Sequence, residues 1–148
     1  PTMGILSKLT TDERRETPHI QDEVPADTTD HEVAWTAPAD CTVEQLSLWA
    51  VPNSEDALRL RPVIRRVRGD PDNPESAEDT DIPSYGDGEK FITGEPDGDR
   101  YYVNAEMREG DQIVIIADNS NTDYGYRFRA LPTVDYLGGI RRVIGGVF

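Results

Sequence analysis

From Glu32 onward apolar residues recur at every second position, and no long run follows the three-to-four spacing of a helix; this restricts the chain to an all-β fold. In the stretch Tyr124 to Ala130, Tyr124, Tyr126, Phe128 and Ala130 share one face while Gly125, Arg127 and Arg129 share the other, as a half-buried strand requires. Leu58, Leu60, Pro62 and Ile64 alternate in the same way with Arg59, Arg61, Val63 and Arg65. Pro62 has no N–H to give a ladder, which predicts an edge or a bulge there. Further strands are predicted at about Val33 to Thr36, Val43 to Val51, Lys90 to Thr93, Tyr101 to Glu106 and Asp111 to Ala117. In the last of these Ile113, Val114, Ile115 and Ile116 are apolar on both faces, so it should be central or covered on both sides. Turn residues Glu109, Gly110 and Asp111, and then Asp118 to Asp123, separate the last three strands and predict an antiparallel meander. The sum is an antiparallel two-sheet sandwich of jelly-roll or immunoglobulin-like type, and alternation alone does not separate the two.

A chain of 148 residues with 36% hydrophobic content can bury one core. The sandwich is expected over residues 32–136, with three appendages. Residues 1–31 read as an extended N-terminal arm: Thr10 to Asp30 is polar and carries Pro18 and Pro25, and the tip is apolar only at Ile5, Leu6 and Leu9. Fully extended, such an arm reaches roughly 100 Å, enough to cross a neighbouring subunit. Residues 69–99 read as an acidic insertion, with eleven acids against the single base Lys90. Residues 137–148 form an apolar tail in which Leu137, Ile140, Ile144 and Phe148 need a cover, either on the sandwich, in a neighbour or at a lipid surface. No run approaches the roughly 18 apolar residues of a spanning helix. The N-terminus also lacks the apolar stretch of a secretory signal, so a soluble protein is expected.

Charge narrows the partners. The formal net charge is −14, which disfavours nonspecific binding to nucleic acid by the whole molecule. Only Lys8 and Lys90 of the 15 basic residues are lysine. Acid enrichment with lysine nearly absent resembles the proteins of extremely halophilic archaea and their viruses, where molar salt shortens the screening length to about 3 Å.

Catalysis is not expected. A histidine metal centre or a Ser-His-Asp arrangement finds only His19 and His31, both in or beside the arm. No phosphate loop, dinucleotide fingerprint or Gly-x-Ser-x-Gly occurs. The single cysteine, Cys41, reads as a structural thiol. Acid pairs suited to glycoside hydrolysis sit mainly in loops and follow from the general acidity. No cofactor is expected; calcium stays open at Asp70, Asp72, Asp79 and Asp81, or at Asp97 and Asp99, although neither group completes a calcium loop.

The arginines stand out. Arg59, Arg61, Arg65, Arg127 and Arg129 all alternate with apolar residues, which predicts a basic stripe on an acidic molecule. Its partner would be the chain's own 69–99 segment, that segment of another copy, a different protein or a nucleic acid. Guanidinium forks suit carboxylates at interfaces, so protein is preferred. With Ile5, Leu6, Leu9 and the tail residues, these arginines make up the expected partner-binding set.

The halophilic composition, small size, arm before Val33 and the entry Trp35-Thr-Ala-Pro-Ala-Asp-Cys-Thr-Val43 into a sandwich together resemble the single jelly-roll penton proteins of icosahedral, internal-membrane-containing haloarchaeal viruses. That resemblance covers architecture and composition. It implies a virion protein made in the host cytoplasm: a pentamer at five-fold vertices, contacting major capsid proteins and a host-recognition spike, with a terminus facing the membrane. A head decoration or turret protein of a tailed haloarchaeal virus would share composition and fold. A carbohydrate-binding module is the third reading, with Trp35, Trp49, Tyr101 or Tyr102 as its platform; alternation sets Trp49 opposite Leu46, Leu48 and Ala50.

Overall fold

In the computed structural model, residues 15–51, 57–67, 77–82 and 99–136 are described. They form nine strands: β1 (Arg15–Glu16), β2 (Ile20–Val24), β3 (Thr28–Thr36), β4 (Cys41–Ala50), β5 (Leu58–Val67), β6 (Ala77–Asp81), β7 (Asp99–Met107), β8 (Gln112–Asn119) and β9 (Tyr126–Asp135). All pairings are antiparallel. One sheet runs β2-β9-β4-β7, with β1 continuing β2 along the same edge of β9. The other runs β3-β8-β5-β6. Counting β1 and β2 as one interrupted strand, this is the strand succession of an eight-stranded jelly roll, which decides between the two topologies left open by alternation.

Alternation was a sound guide to the faces. Leu46, Leu48, Leu58, Leu60, Ile64, Met107, Ile113 and Ile115 are fully buried between the sheets, joined by Val24, Val43, Phe128, Ala130 and Val134. Each of these side chains other than Ala130 contributes about 1.5–3 kcal/mol on leaving water. β8 is central, between β3 and β5, and its outward Val114 and Ile116 are buried with Val63 in a second apolar cluster. Its two-faced apolar sequence therefore has cover on both sides, as expected.

The predicted meander is not formed. β7 pairs with β4, β8 with β3 and β5, and β9 with β4 and β2, so both intervening turns carry the chain from one sheet to the other. Turn chemistry marks where a chain reverses and is silent on whether it pairs or crosses. The β7–β8 turn shows why crossing wins. Gly110 takes φ +92°, the Asp111 carboxylate accepts the Arg108 N–H at 2.9 Å, and the turn is stitched to the β3–β4 connection. That stitch consists of Gly110 N–H to Ala37 carbonyl (2.9 Å) and Ala37 N–H to Asp111 carbonyl (2.8 Å).

Two boundaries also move. Residues 15–31 do not form a free arm: β1 and β2 pair with β9, Ile20 and Val24 enter the core, and β3 begins at Thr28. Two apolar residues spaced four apart on a strand, Ile20 and Val24, suffice once β9 supplies the ladder, and the intervening polar residues remain exposed. The acidic insertion likewise contributes β6, paired with β5 from Val63 to Val67. Pro62 sits where β6 ends; its carbonyl accepts the Ile82 N–H at 2.7 Å, and its nitrogen faces the same side, beyond the last β6 partner. The strand expected at Lys90 to Thr93 lies outside the described residues.

Cys41 is buried at the start of β4, and burial, with Asp40 adding to it, pushes its thiol up to about 11. The thiolate is the reactive form. Folded protein at pH 8 should therefore resist thiol reagents and react stoichiometrically once unfolded; rapid labelling of the folded chain would contradict the packing around Cys41.

Candidate functional site

The five expected arginines do point outward, but they do not make one stripe. Arg59, Arg61 and Arg65 lie on β5 in the second sheet, Arg127 and Arg129 on β9 in the first, so they occupy opposite outer faces of the sandwich. Sequence alternation assigns a residue to a face of its own strand and carries no information on which sheet the strand joins.

The two groups also differ in partners. Arg65 is held by carboxylates: its guanidinium forks onto Asp79 (Nε to Oδ1 2.8 Å, Nη2 to Oδ2 3.1 Å), and Nη1 donates to Glu32 at 2.6 Å. Asp79 belongs to β6, so the chain's own acidic segment is the partner of Arg65. Asp70, Asp72 and Asp97 lie outside the described residues. Arg66, which alternation places inward, closes the end of the sandwich by donating to Thr80 Oγ1 and to the Glu106 carbonyl of the opposite sheet, each at 3.2 Å.

On the outer face of the first sheet, the side chains of Arg127, Arg129 and Trp49 surround an open groove of about 570 Å³, bordered by Gln21, Asp22 and Glu23 of β2. The register sets Gln21, Arg129 and Trp49 in one row across β2, β9 and β4, with Glu23 opposite Arg127. Trp49 points outward while Leu46, Leu48 and Ala50 point into the core, as the sequence predicted. The Arg129 guanidinium lies over the indole, 5.2 Å from its centroid. Among the described residues, neither Arg127 nor Arg129 has a carboxylate within ion-pair distance. Of the two acids bordering the groove, Asp22 has a partner on another strand. Asp22 bonds His31 Nε2 at 2.8 Å, which together with the Glu23 N–H holds its carboxyl below the ordinary 3.8. The Glu23 side chain lies against Gly125, where a Cβ would come within 3.1 Å of Glu23 Oε1. Further along the same sheet, Arg100 is exposed and Tyr102 is 83% exposed. Trp35 and Tyr101, the other aromatic candidates, pack against the core.

Sequence reasoning passed over a second constellation at the β8–β9 corner. Asn119 is 1% exposed, and its Nδ2 donates to the carbonyls of Val24 (3.0 Å), Pro25 (3.2 Å) and Tyr124 (2.9 Å) while Oδ1 accepts the Asn121 N–H (3.0 Å). Asn121 Oδ1 in turn accepts the N–H groups of Asp123 and Tyr124 at 2.8 and 2.9 Å. The signal was present: Asn119 continues the inward phase of Ile113, Ile115 and Ala117, and a polar residue in that phase needs partners. Ile5, Leu6, Leu9, Leu137, Ile140, Ile144 and Phe148 of the expected partner-binding set lie outside the described residues.

No protein-family model matches this chain, and no curated protein matches it. Four chains of solved structures do. One is from the structure of infectious bursal disease virus Gt strain, with a TM-score of 0.47 and 9% identity over 83% of this chain and 32% of that one. Another is from the structure of the Gx strain of the same virus, with a TM-score of 0.46 and 9% identity over 82% of this chain and 31% of that one. The chain thus spans about a third of the length of these structures.

Proposed function

We propose that this chain is a virion structural protein, a jelly-roll subunit that assembles with itself into an icosahedral shell. In the specific form of the proposal it is a penton at the vertices of a haloarchaeal virus, contacting major capsid proteins and a vertex spike. The observation that carries the reading is the strand succession together with its filled interior. Jelly rolls serve as capsid domains, lectins and cupins. A cupin works through ligands inside the barrel, whereas the inward positions here are held by residues such as Leu48, Leu60, Ile64 and Ile115. What such a domain offers to other molecules is its outer faces and edges, and no catalytic role is proposed for it.

The groove at Trp49 favours a second reading, a carbohydrate-binding module. The Arg129 guanidinium over the indole takes up ring surface that a sugar would stack on, so the shell reading is preferred. The absolute mass of the full chain in molar salt, by light scattering, tests the proposal. A closed ring at five times the 16.5 kDa chain mass is the expected result. A monomer at every concentration would overturn the self-assembling vertex subunit.

A further inference from the structure

We infer that the groove on the outer face of the first sheet docks an extended acidic segment of a second copy of this chain, with Arg127 and Arg129 each receiving one carboxylate. The inference rests on the self-assembly reading above and names the contact. Its basis is an imbalance. In a chain with 29 acids and 15 bases, Arg65 has gathered two carboxylates and Arg15 lies 3.5 Å from Glu44, yet among the described residues Arg127 and Arg129 have none. Both are exposed, and of the acids that border the groove Asp22 bonds His31 and Glu23 lies beside Gly125.

Geometry specifies the ligand further. The Arg129 guanidinium sits over the Trp49 ring, and a guanidinium in a cation–π contact still has N–H donors with which to bind a carboxylate. Arg127 and Arg129 are two residues apart on one strand, so their side chains leave the sheet about 7 Å apart. An extended peptide with acids at alternate positions repeats at the same spacing. The 69–99 segment has that pattern at Asp70 and Asp72, Asp79 and Asp81, Asp87 and Glu89, and Asp97 and Asp99. Asp79 is engaged by Arg65 of its own chain, so the Asp70 and Asp72 pair is the one tested.

The test uses the full chain carrying Trp35→Phe, so that Trp49 is the sole tryptophan, titrated with a peptide of residues 69–76. A saturable change in Trp49 emission is expected. It should weaken about tenfold or more with Arg127→Gln plus Arg129→Gln, and equally with the Asp70→Asn, Asp72→Asn peptide. In parallel, light scattering compares the wild-type chain with Arg127→Glu plus Arg129→Glu, whose far-UV circular dichroism should be unchanged because both sites are exposed. Loss of the oligomer in that variant supports the inference. An oligomer that persists overturns it and leaves the shell reading standing, whereas a monomeric wild type overturns both. A peptide response indifferent to the arginines also overturns it. So does a response to an oligosaccharide or oligonucleotide in the absence of one to the peptide; that result would reassign the groove.

Discussion

Asn119→Ala is expected to cost about 3–5 kcal/mol, a large share of the stability of a domain this size. The substitution strips the Val24, Pro25 and Tyr124 carbonyls of their shared donor and the Asn121 N–H of its acceptor, at a position only 1% exposed. These groups belong to the end of β2, the β2–β3 turn and the β8–β9 corner, so the loss loosens one whole end of the sandwich. Asn119→Asp should be worse still, since a carboxylate would face three carbonyl oxygens with no proton to offer. Urea unfolding in molar salt, with the midpoint and slope read together, measures both. A cost under about 1 kcal/mol would mean that water replaces the amide at this corner.

The second large effect comes from salt. Lowering it from molar to about 0.1 M lengthens the screening distance from about 3 to about 10 Å, and neighbouring surface carboxylates then repel through solvent. With a net charge of −14 the folded state should lose its cooperative structure on dilution, while contact-distance pairs such as Arg65 with Asp79 and Glu32 are affected least. Circular dichroism followed down a salt series checks it. A spectrum that does not change would remove the halophilic reading and leave an acidic protein whose apolar core holds it folded at any ionic strength.

Arg65 and Arg129 show how far one-dimensional reasoning reaches. Both were legible as outward, because side-chain direction on a strand follows from parity along the chain. Their fates differ because β6 brings Asp79 beside Arg65, 14 residues away in sequence, while β2 brings Glu23 opposite Arg127 with its carboxylate beside Gly125 and not in an ion pair with the arginine. Trp49 was legible as outward for the same reason. The groove around it was not, since it needs β2, a segment whose polar sequence reads as an arm.

Parity, apolar count and charge thus settled the class of fold, the inward residues of β4, β5, β8 and β9, the central place of β8 and the acidity of the surface. Each is a property of a strand or of the composition, and neither depends on which strands become neighbours. The pairing order is different. The crossings at Gly110 and Asn119, the recruitment of residues 15–31 onto β9 and the division of the arginines between two faces all arise from contacts between residues distant in sequence. Backbone N–H and C=O groups form the same ladders in any antiparallel arrangement. The choice among arrangements therefore fell to side-chain packing between the sheets and to a few turn contacts, and these exist only once the chain has closed on itself.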